Sequence, residues 1–532
     1  MTTEQTLRMA LEAMARSNDR QSRQIEELTE QVRDLTAQVA WFRRQMFGRK
    51  SEKHVNLEGQ LSLFADDGDG AAARGEGPEA GSTPDGPQGS GRKKRKPARR
   101  PRRTWDNLPV LETRILEPEG VDPARYRRIG EETTYLVGVE PGKLYRIAIV
   151  RPKYGLIDPT EPVERGKGVL IAPMPLLPIP KGMPDSSLLA EILLQKYEYH
   201  VPFYRQIKQF AHLGMAGLKE ATLTGWFKRA MELLRPLYEA LVARVFASGY
   251  VQADETTTPV INPGTRQAEK EYLWMARSVM ERLAVFFYND GSRSGQVIKD
   301  LTDKHRFKGY LQCDGFGGYT SAYKPGSRVT LVGCMVHIRR AFERALDENR
   351  QAATWFLVKI RELYHIEHEC DRSGMDPDGR KAERQLKSKP LMEEMKKWLE
   401  TEGVRYSERS LMGKAVTYAY TRWTNMEHVL EDGKLFLDNN LAENEIRPIT
   451  LGRKNYLFCG NHEAASNMCV IASLLSTCRN HDINPRLYLT SVIESMPYFG
   501  KATQEQIAAL LPHNWIEYHP EARIEKIRKL AK

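Results

Sequence analysis

Cysteine is scarce in this 532-residue chain, and none occurs before Cys313. Six cysteines confined to the C-terminal part exclude a disulfide-rich secreted scaffold and fit a reducing cytosol. Long apolar runs are also missing: the most apolar stretches, 168–180 and 469–478, are too short or too rich in proline to cross a bilayer. The N-terminus lacks the basic and apolar segments of a signal peptide. We therefore expect a cytoplasmic protein with no membrane partner.

Acidic residues are absent from residues 92–103. Nine of these twelve residues are basic, and they account for most of the net charge of +11. Such a run neutralises phosphates without reading base sequence, so it predicts salt-sensitive binding of nucleic acid. A solvated tail without a partner is the alternative. The predicted DNA-binding residues of this arm are Arg92, Lys93, Lys94, Arg95, Lys96, Arg99, Arg100, Arg102 and Arg103.

The N-terminal residues 1–50 have the apolar spacing of a coiled coil. Seven apolar residues from Ile25 to Met46 alternate separations of three and four, and neither glycine nor proline precedes Gly48. We expect a helix that forms a homodimer, with a single amphipathic helix packed on its own protein as the alternative. Residues 51–103 follow as a flexible linker and basic arm, because the linker has few large apolar groups to offset its ordering entropy.

Two accessory regions follow the arm. Residues 104–185 contain strand-type runs at 134–139 and 145–150 between proline and glycine turns, which predicts a small β-rich module. Residues 186–246 read as helical. Within them, 204–214 and 222–229 have the form of a helix-turn-helix with Thr222 or Thr224 as the N-cap. Plain helical packing explains the same apolar residues, so DNA recognition by this segment stays open.

The next region predicts a mixed sheet that carries two aspartates. Asp254 lies in a strand-type run, further strands are expected at 272–277 and 283–288, a helix near 295–301, and a strand before Asp314. We expect both aspartates where a strand runs out into a turn, side by side on adjacent strands. Two such carboxylates repel each other unless a divalent cation lies between them.

A third acidic residue, Glu443, lies in the segment 438–448, 129 positions after Asp314. Read locally, the segment is structural: Asn440 and Glu443 resemble a capping box, Glu443 and Arg447 have salt-bridge spacing, and Pro448 ends the turn. On local grounds alone this structural interpretation is favoured.

Three motifs taken together change that balance. DET at 254–256, CDGFGGY at 313–319 and NNLAENEIRP at 439–448 occur in an order that resembles the transposases of the insertion sequence 66 family, members of the DDE group. The resemblance extends over most of the chain through four further runs: FGRKSEK at 47–53, QLSLF at 60–64, PFYRQ at 202–206 and GCMVHIRR at 333–340.

The resemblance implies a multidomain α+β protein with a ribonuclease H-like mixed α/β core. Catalytic Asp254, Asp314 and Glu443 would hold two Mg²⁺ ions, with Mn²⁺ as a substitute. The implied activity is binding of terminal inverted repeats, cleavage at the element ends and joining of the 3′-hydroxyl ends to target DNA. Accessory transposition proteins and association with the nucleoid are further implications. The alternatives are a catalytically idle dimeric DNA-binding protein and a ribonuclease H-like nuclease that only hydrolyses.

The remaining predictions concern organisation and flanking residues. We expect the core in two parts, 247–337 and 432–485, separated by a helical insertion at 338–431 and followed by a helical tail at 486–532. Arg447, Arg453 and Lys454 are candidate phosphate contacts, with ordinary surface charge as the alternative. Cys334 and His337 resemble a C-x-x-H element of other DDE transposases and are expected to be structural, as a buried cysteine and a satisfied histidine. Many family members carry a cysteine-paired zinc segment after the basic linker. The resemblance implies that residues 104–185 form a DNA-binding module, and with no earlier cysteine than Cys313 this module is expected to lack the zinc.

Overall fold

The computed structural model describes residues 108–140, 142–158 and 169–524. The predicted coiled coil of residues 1–50 and the linker and basic arm of residues 51–103 lie outside the described residues. The nine basic residues of the arm lie there too, so the predictions made for them stay predictions.

The first described elements form a mixed four-stranded sheet. Its strands are Val110–Ile115 (β1), Tyr126–Glu140 (β2), Lys143–Leu156 (β3) and Val169–Ile171 (β4). The long strand β3 pairs antiparallel with β2 and β4 and parallel with β1. Gly142, between β2 and β3, has a φ of 80°, a conformation that glycine adopts without strain. The strands predicted at 134–139 and 145–150 are therefore confirmed.

Three helices follow this sheet: Ser186–Tyr197 (α1), Phe203–His212 (α2) and Glu220–Ala247 (α3). The succession of helix, glycine-containing turn and helix at α2 and α3 is confirmed, but the predicted N-cap is wrong. Helix α3 begins one turn earlier, with Lys219 at the N-cap, so Thr222 and Thr224 lie inside the helix. Glu220 favours this earlier start because a negative charge in the first turn complements the helix dipole.

The second sheet is five-stranded and carries the predicted aspartates. Its elements in chain order are Tyr250–Ile261 (β5), Ala268–Ser278 (β6), Leu283–Phe287 (β7), Gln296–Lys304 (α4), Gly309–Gln312 (β8), Gly317–Ala322 (α5) and Val329–Val332 (β9). The spatial order is β7-β6-β5-β8-β9. Strands β7, β6 and β5 are antiparallel neighbours, whereas β8 and β9 run parallel to β5. The predicted succession of three strands, helix and strand is confirmed.

Both faces of this sheet are buried. Along β6, Trp274 and Ala276 belong to one apolar core, and Leu273 and Met275 belong to another. Successive side chains of a strand point to opposite faces, so a strand covered on both faces reads as a continuous apolar run.

Helices then fill the region predicted as a helical insertion, 338–431. They are Met335–Ala345 (α6), Arg350–Arg372 (α7), Pro377–Glu383 (α8), Lys389–Thr401 (α9), Leu411–Tyr420 (α10) and Trp423–Glu427 (α11). Their core is aromatic, with the rings of Phe342 and Phe356 stacked at 3.9 Å. The fully buried Arg384 pairs with Glu367 and donates to the carbonyl of Leu435, which ties these helices to the chain that follows them.

The C-terminal part is helical as well, with Asn440–Tyr456 (α12), His462–Asn480 (α13), Pro485–Ser495 (α14), Gln504–Ala509 (α15) and Pro512–Tyr518 (α16). Two local predictions are wrong here. The N-cap of α12 is Asn439, which makes no side-chain capping bond, so Asn440 and Glu443 form no capping box. The helix also continues through Pro448, because the buried Ile446 and Ile449 anchor it on the second sheet.

Membrane-spanning helices were sought along the described ranges. Within 108–140, 142–158 and 169–524, no helix combines the length and the apolarity that crossing a membrane requires.

Two fully buried glutamines join the central strands to the helices that follow. On β5, Gln252 donates to Gln312 Oε1 at 2.8 Å and to the carbonyl of Asp438 at 2.9 Å, and its Oε1 accepts from the backbone of Ala442. On β8, Gln312 donates to the carbonyls of Gly333 and Phe436. The pair therefore fixes the starts of α6 and α12 against the stretch where β5 and β8 pair in parallel.

We predict that Gln312→Leu lowers the free energy of unfolding by roughly 1–3 kcal/mol, because the change leaves buried carbonyls without donors. The measurement is the midpoint of urea unfolding. Gln351→Leu, on the exposed side of α7, is the matched control. A Gln312→Leu protein as stable as this control would contradict the prediction.

Candidate active site

Asp254 and Asp314 lie side by side, and strand register explains why. The parallel pairing of β5 with β8 runs from Tyr250 opposite Tyr310 to Gln252 opposite Gln312. Each aspartate lies two residues beyond this last pair. Asp314 follows the end of β8, as predicted, but the prediction that Asp254 lies at a strand end is wrong. Strand β5 continues to Ile261 because its other neighbour, β6, keeps pairing with it over that length.

Glu443 joins the two aspartates from the first turn of α12. Burial, together with the neighbouring charges of Glu255, Asp314 and Glu443, raises the pKa of Asp254 to about 8. The structure thus brings together the three acids that the sequence singles out, from a strand, a strand end and a helix.

A fourth acid, Glu255, was missed by sequence reasoning. Its side chain is only 2% exposed, and it accepts hydrogen bonds from Arg293 Nη2 at 2.8 Å and from the Tyr319 hydroxyl at 3.2 Å. Burial and the charge of Asp314 raise its pKa, although the bond from Arg293 opposes the rise. Side chains alternate along β5, so the sequence places Glu255 on the face opposite Asp254. Its place in the site becomes visible only in the folded chain, where Tyr319, which follows the loop after β8, contacts it.

The loop after Asp314 is held from the helical insertion. Arg422 donates through Nε and Nη2 to the carbonyl of Gly315, at 3.2 and 2.5 Å, and its guanidinium lies 4.1 Å from the ring centre of Tyr418. A Cβ atom at Gly315 would lie 1.9 Å from Arg422 Nε, so the close approach requires glycine. The backbone N–H of Phe316 donates to Asp314 Oδ1 at 2.9 Å. The insertion therefore contributes to the orientation of the second aspartate.

Glu443 is oriented by α6. Arg340 Nη2 lies 2.9 Å from Glu443 Oε2, and His337 Nδ1 lies 3.8 Å from Glu443 Oε1. Both His337 Nδ1 and Glu443 Oε1 are buried without a hydrogen-bond partner in the described part of the chain. The expectation of a satisfied His337 is wrong for this nitrogen, because the nearest acceptor lies beyond hydrogen-bond distance. Cys334 is buried, as expected.

The neighbouring Glu445 has a structural role. It is buried, pairs with Arg277 and accepts hydrogen bonds from Ser476 at 2.6 Å and Asn480 at 2.8 Å. These partners attach α12 to β6 and α13. Of the two glutamates in the motif, only Glu443 faces the aspartates.

The candidate phosphate contacts after Glu443 differ in their surroundings. Arg447 and Lys454 are exposed, whereas Arg453 is half-buried and donates to the hydroxyl of Thr257 at 2.9 Å. Burial lowers the pKa of Arg453. These placements leave the DNA-binding prediction for the three residues untested.

Comparison with known proteins agrees with the motifs. Residues 181–467 match the family described as Transposase IS66 family, and residues 473–513 match its C-terminal element. Residues 34–112 match a region described as Transposase C of IS166 homeodomain. The matches define the class of protein as a transposase. The chain belongs to the IS66 family of transposases, and the resemblance seen in the sequence is confirmed.

Relatives of similar length occur in Sinorhizobium fredii. The uncharacterised protein y4jD is 31% identical over 512 residues, which cover 92% of this chain and 96% of the relative. The uncharacterised protein y4hP is 27% identical over 507 residues, which cover 90% of this chain and 88% of the relative. Neither name states an activity, so the chemistry must be argued from the residues.

We predict that Asp254→Asn stabilises the protein in EDTA, increasingly so as the pH rises from 6 to 8. The folded protein holds a proton on Asp254 up to a pKa of about 8, whereas the unfolded chain releases it near the ordinary value of 3.8. The wild type therefore loses up to about 1.4 kcal/mol per pH unit across this window, and the loss levels off above pH 8.

The measurement is the melting temperature of both proteins in EDTA from pH 6 to 9. Asp300→Asn, on the exposed side of α4, is the matched control and should show no such trend. An Asp254→Asn protein that melts below the wild type at pH 9 would contradict the prediction.

Proposed function

We propose that this protein is a DDE transposase that binds the terminal inverted repeats of an insertion sequence, cleaves DNA at the element ends and joins the 3′-hydroxyl ends to target DNA. The observation that carries the proposal is the convergence of Asp254, Asp314 and Glu443 in one place. Family membership supplies the class, and the acids supply the chemistry.

The fold assigned to the catalytic core is ribonuclease H-like. Support comes from the second sheet, in which three antiparallel strands are followed by two strands parallel to β5. The two aspartates lie on or directly after the neighbouring strands β5 and β8, and the glutamate comes from a helix packed against the sheet.

Two Mg²⁺ ions, for which Mn²⁺ can substitute, are the proposed cofactors, and the donor set fits them. All three acids offer carboxylate oxygen, the ligand that magnesium prefers. Among the described residues, Asp254 and Asp314 form no ion pair with a basic side chain, and Glu443 Oε1 is buried without a hydrogen-bond partner. Carboxylates crowded in this way are stable in the charged form only when a cation compensates them.

The bound ions would supply activation of the attacking oxygen and stabilisation of the leaving oxygen in an in-line displacement. The chain positions the carboxylates for this. Arg340 turns Glu443 by holding Oε2, and Arg422 holds the loop of Asp314 through the Gly315 carbonyl.

A cation is also available for the DNA backbone beside the acids. Arg293 is 44% exposed, pairs with Glu255 and lies 4.0 Å above the ring centre of Phe316. Nε and Nη2 both donate to Glu255, which leaves Nη1 for a phosphate oxygen.

The proposed partners are double-stranded DNA and a second copy of this chain. The basic arm of residues 92–103 would hold DNA without sequence preference, together with Arg447, Arg453 and Lys454, while residues 1–50 would form the homodimer that holds two element ends. Accessory transposition proteins and a location on the nucleoid belong to the same proposal.

We predict that Asp254→Asn, Asp314→Asn and Glu443→Gln each lower strand transfer by roughly a thousandfold or more, because each removes several kcal/mol of transition-state stabilisation. The assay contains element-end DNA, supercoiled target and Mg²⁺, and binding of the ends is measured in parallel by gel shift. The variants should still bind.

Asp300→Asn and Glu239→Gln, both exposed, are the controls for the charge change and should transfer strands normally. Cleavage without joining by the wild type would indicate a nuclease that only hydrolyses. End binding without any turnover, equal in wild type and variants, would indicate a catalytically idle DNA-binding protein.

We further predict that Arg422→Lys lowers strand transfer by roughly ten- to a hundredfold while end binding stays unchanged. Lysine keeps the charge but cannot donate from two atoms to the Gly315 carbonyl, so the loop of Asp314 loses its position. Arg405→Lys, in the same insertion but exposed, is the matched control. Normal strand transfer by Arg422→Lys would contradict a positioning role.

A further inference from the structure

Cys334, His337 and Glu443 place a sulfur, a nitrogen and an oxygen ligand atom within 4.8 Å of one another. Cys334 directly precedes α6, His337 lies in the first turn of that helix, and Glu443 lies in the first turn of α12. The C-x-x-H spacing places the side chains of Cys334 and His337 on the same side of the helix start, because residues three apart are neighbours on a helix.

Two polar atoms of this group are buried without a hydrogen-bond partner among the described residues. His337 Nδ1 and Glu443 Oε1 face each other at 3.8 Å, too far for a hydrogen bond, and both are buried without a partner in the described ranges. Two unsatisfied buried polar atoms are costly unless a third group lies between them.

Arg340 directs the carboxylate toward this position. It lies one turn after His337 on α6 and holds Glu443 Oε2 at 2.9 Å, which leaves Oε1 for the histidine side. The side chains of His337 and Glu443 are 25% and 17% exposed, so the group is partly open to solvent.

We propose that Cys334, His337 and Glu443 form a second cation site, specific for Zn²⁺ or a similar soft divalent ion. Thiolate and imidazole are ligands of zinc and not of magnesium, and three protein ligands leave a fourth position for water. The thiol proton passes to solvent when the sulfur binds the ion. The site shares Glu443 with the proposed magnesium pair, but binding of the soft ion does not depend on the proposed reaction.

The test is a titration of the purified full-length protein with Co²⁺, which replaces zinc and reports its ligands by absorption. One equivalent should produce a thiolate-to-cobalt charge-transfer band and the intense visible bands of a four-coordinate ion, and Zn²⁺ should remove both. Cys334→Ser should lose the charge-transfer band, and His337→Ala should lose the four-coordinate bands. Circular dichroism establishes that each variant is folded.

Cys459→Ser removes another buried cysteine and is the matched control, which should keep all bands. Asp254→Asn should also keep them while losing strand transfer, which separates this site from the magnesium pair. A wild type without the charge-transfer band, or a Cys334→Ser protein that retains it, would overturn the inference. Either result leaves the proposed transposase reaction untouched, and a failed strand-transfer assay leaves the cobalt result standing.

Discussion

The hydrogen bonds of two buried glutamines, Gln252 and Gln312, are the constraint on which the site depends. Each amide satisfies backbone groups of a segment far away in sequence, and no charge is used to do so. Hydrogen bonds between uncharged groups suit this position, because a charged side chain so close to the acids would alter the pKa of Asp254. The pair brings the starts of α6 and α12 to the stretch where β5 pairs with β8, and with them Cys334, His337 and Glu443.

The four acids of the site differ in whether a basic side chain compensates their charge. The outer acids Glu255 and Glu443 each have an arginine, whereas the inner aspartates have no basic partner among the described residues. Removing an arginine partner would leave a buried charge uncompensated, so the outer pairs are structural as well as electrostatic. The inner pair concentrates the repulsion at one place, which is where the proposed divalent cations would relieve it.

Sequence reasoning reached the three acids, the strand succession and most helices, because those depend on local periodicity and on motifs that keep their order. It failed where tertiary packing decides. Pro448 lies inside α12 because packing of Ile446 and Ile449 outweighs the lost hydrogen bond, and Asp254 lies inside β5 because β6 extends the strand. Glu255 and Arg422 could not be found, since their partners are 64 and 107 positions away. The spacing of three between Cys334, His337 and Arg340 is the signal in the sequence that these side chains share one face of α6, the face that contacts Glu443.

The helical insertion is part of the site and not an addition beside it. Arg422 reaches the loop of Asp314, Tyr364 donates to Asp438 at 2.6 Å just before α12, and Arg384 holds the carbonyl of Leu435. The insertion therefore contacts both the loop that carries Asp314 and the segment that leads into α12 with Glu443. Through these hydrogen bonds the insertion is tied both to the loop of Asp314 and to the segment that leads into Glu443. The long separation between the second aspartate and the glutamate is thus occupied by the element that sets their geometry.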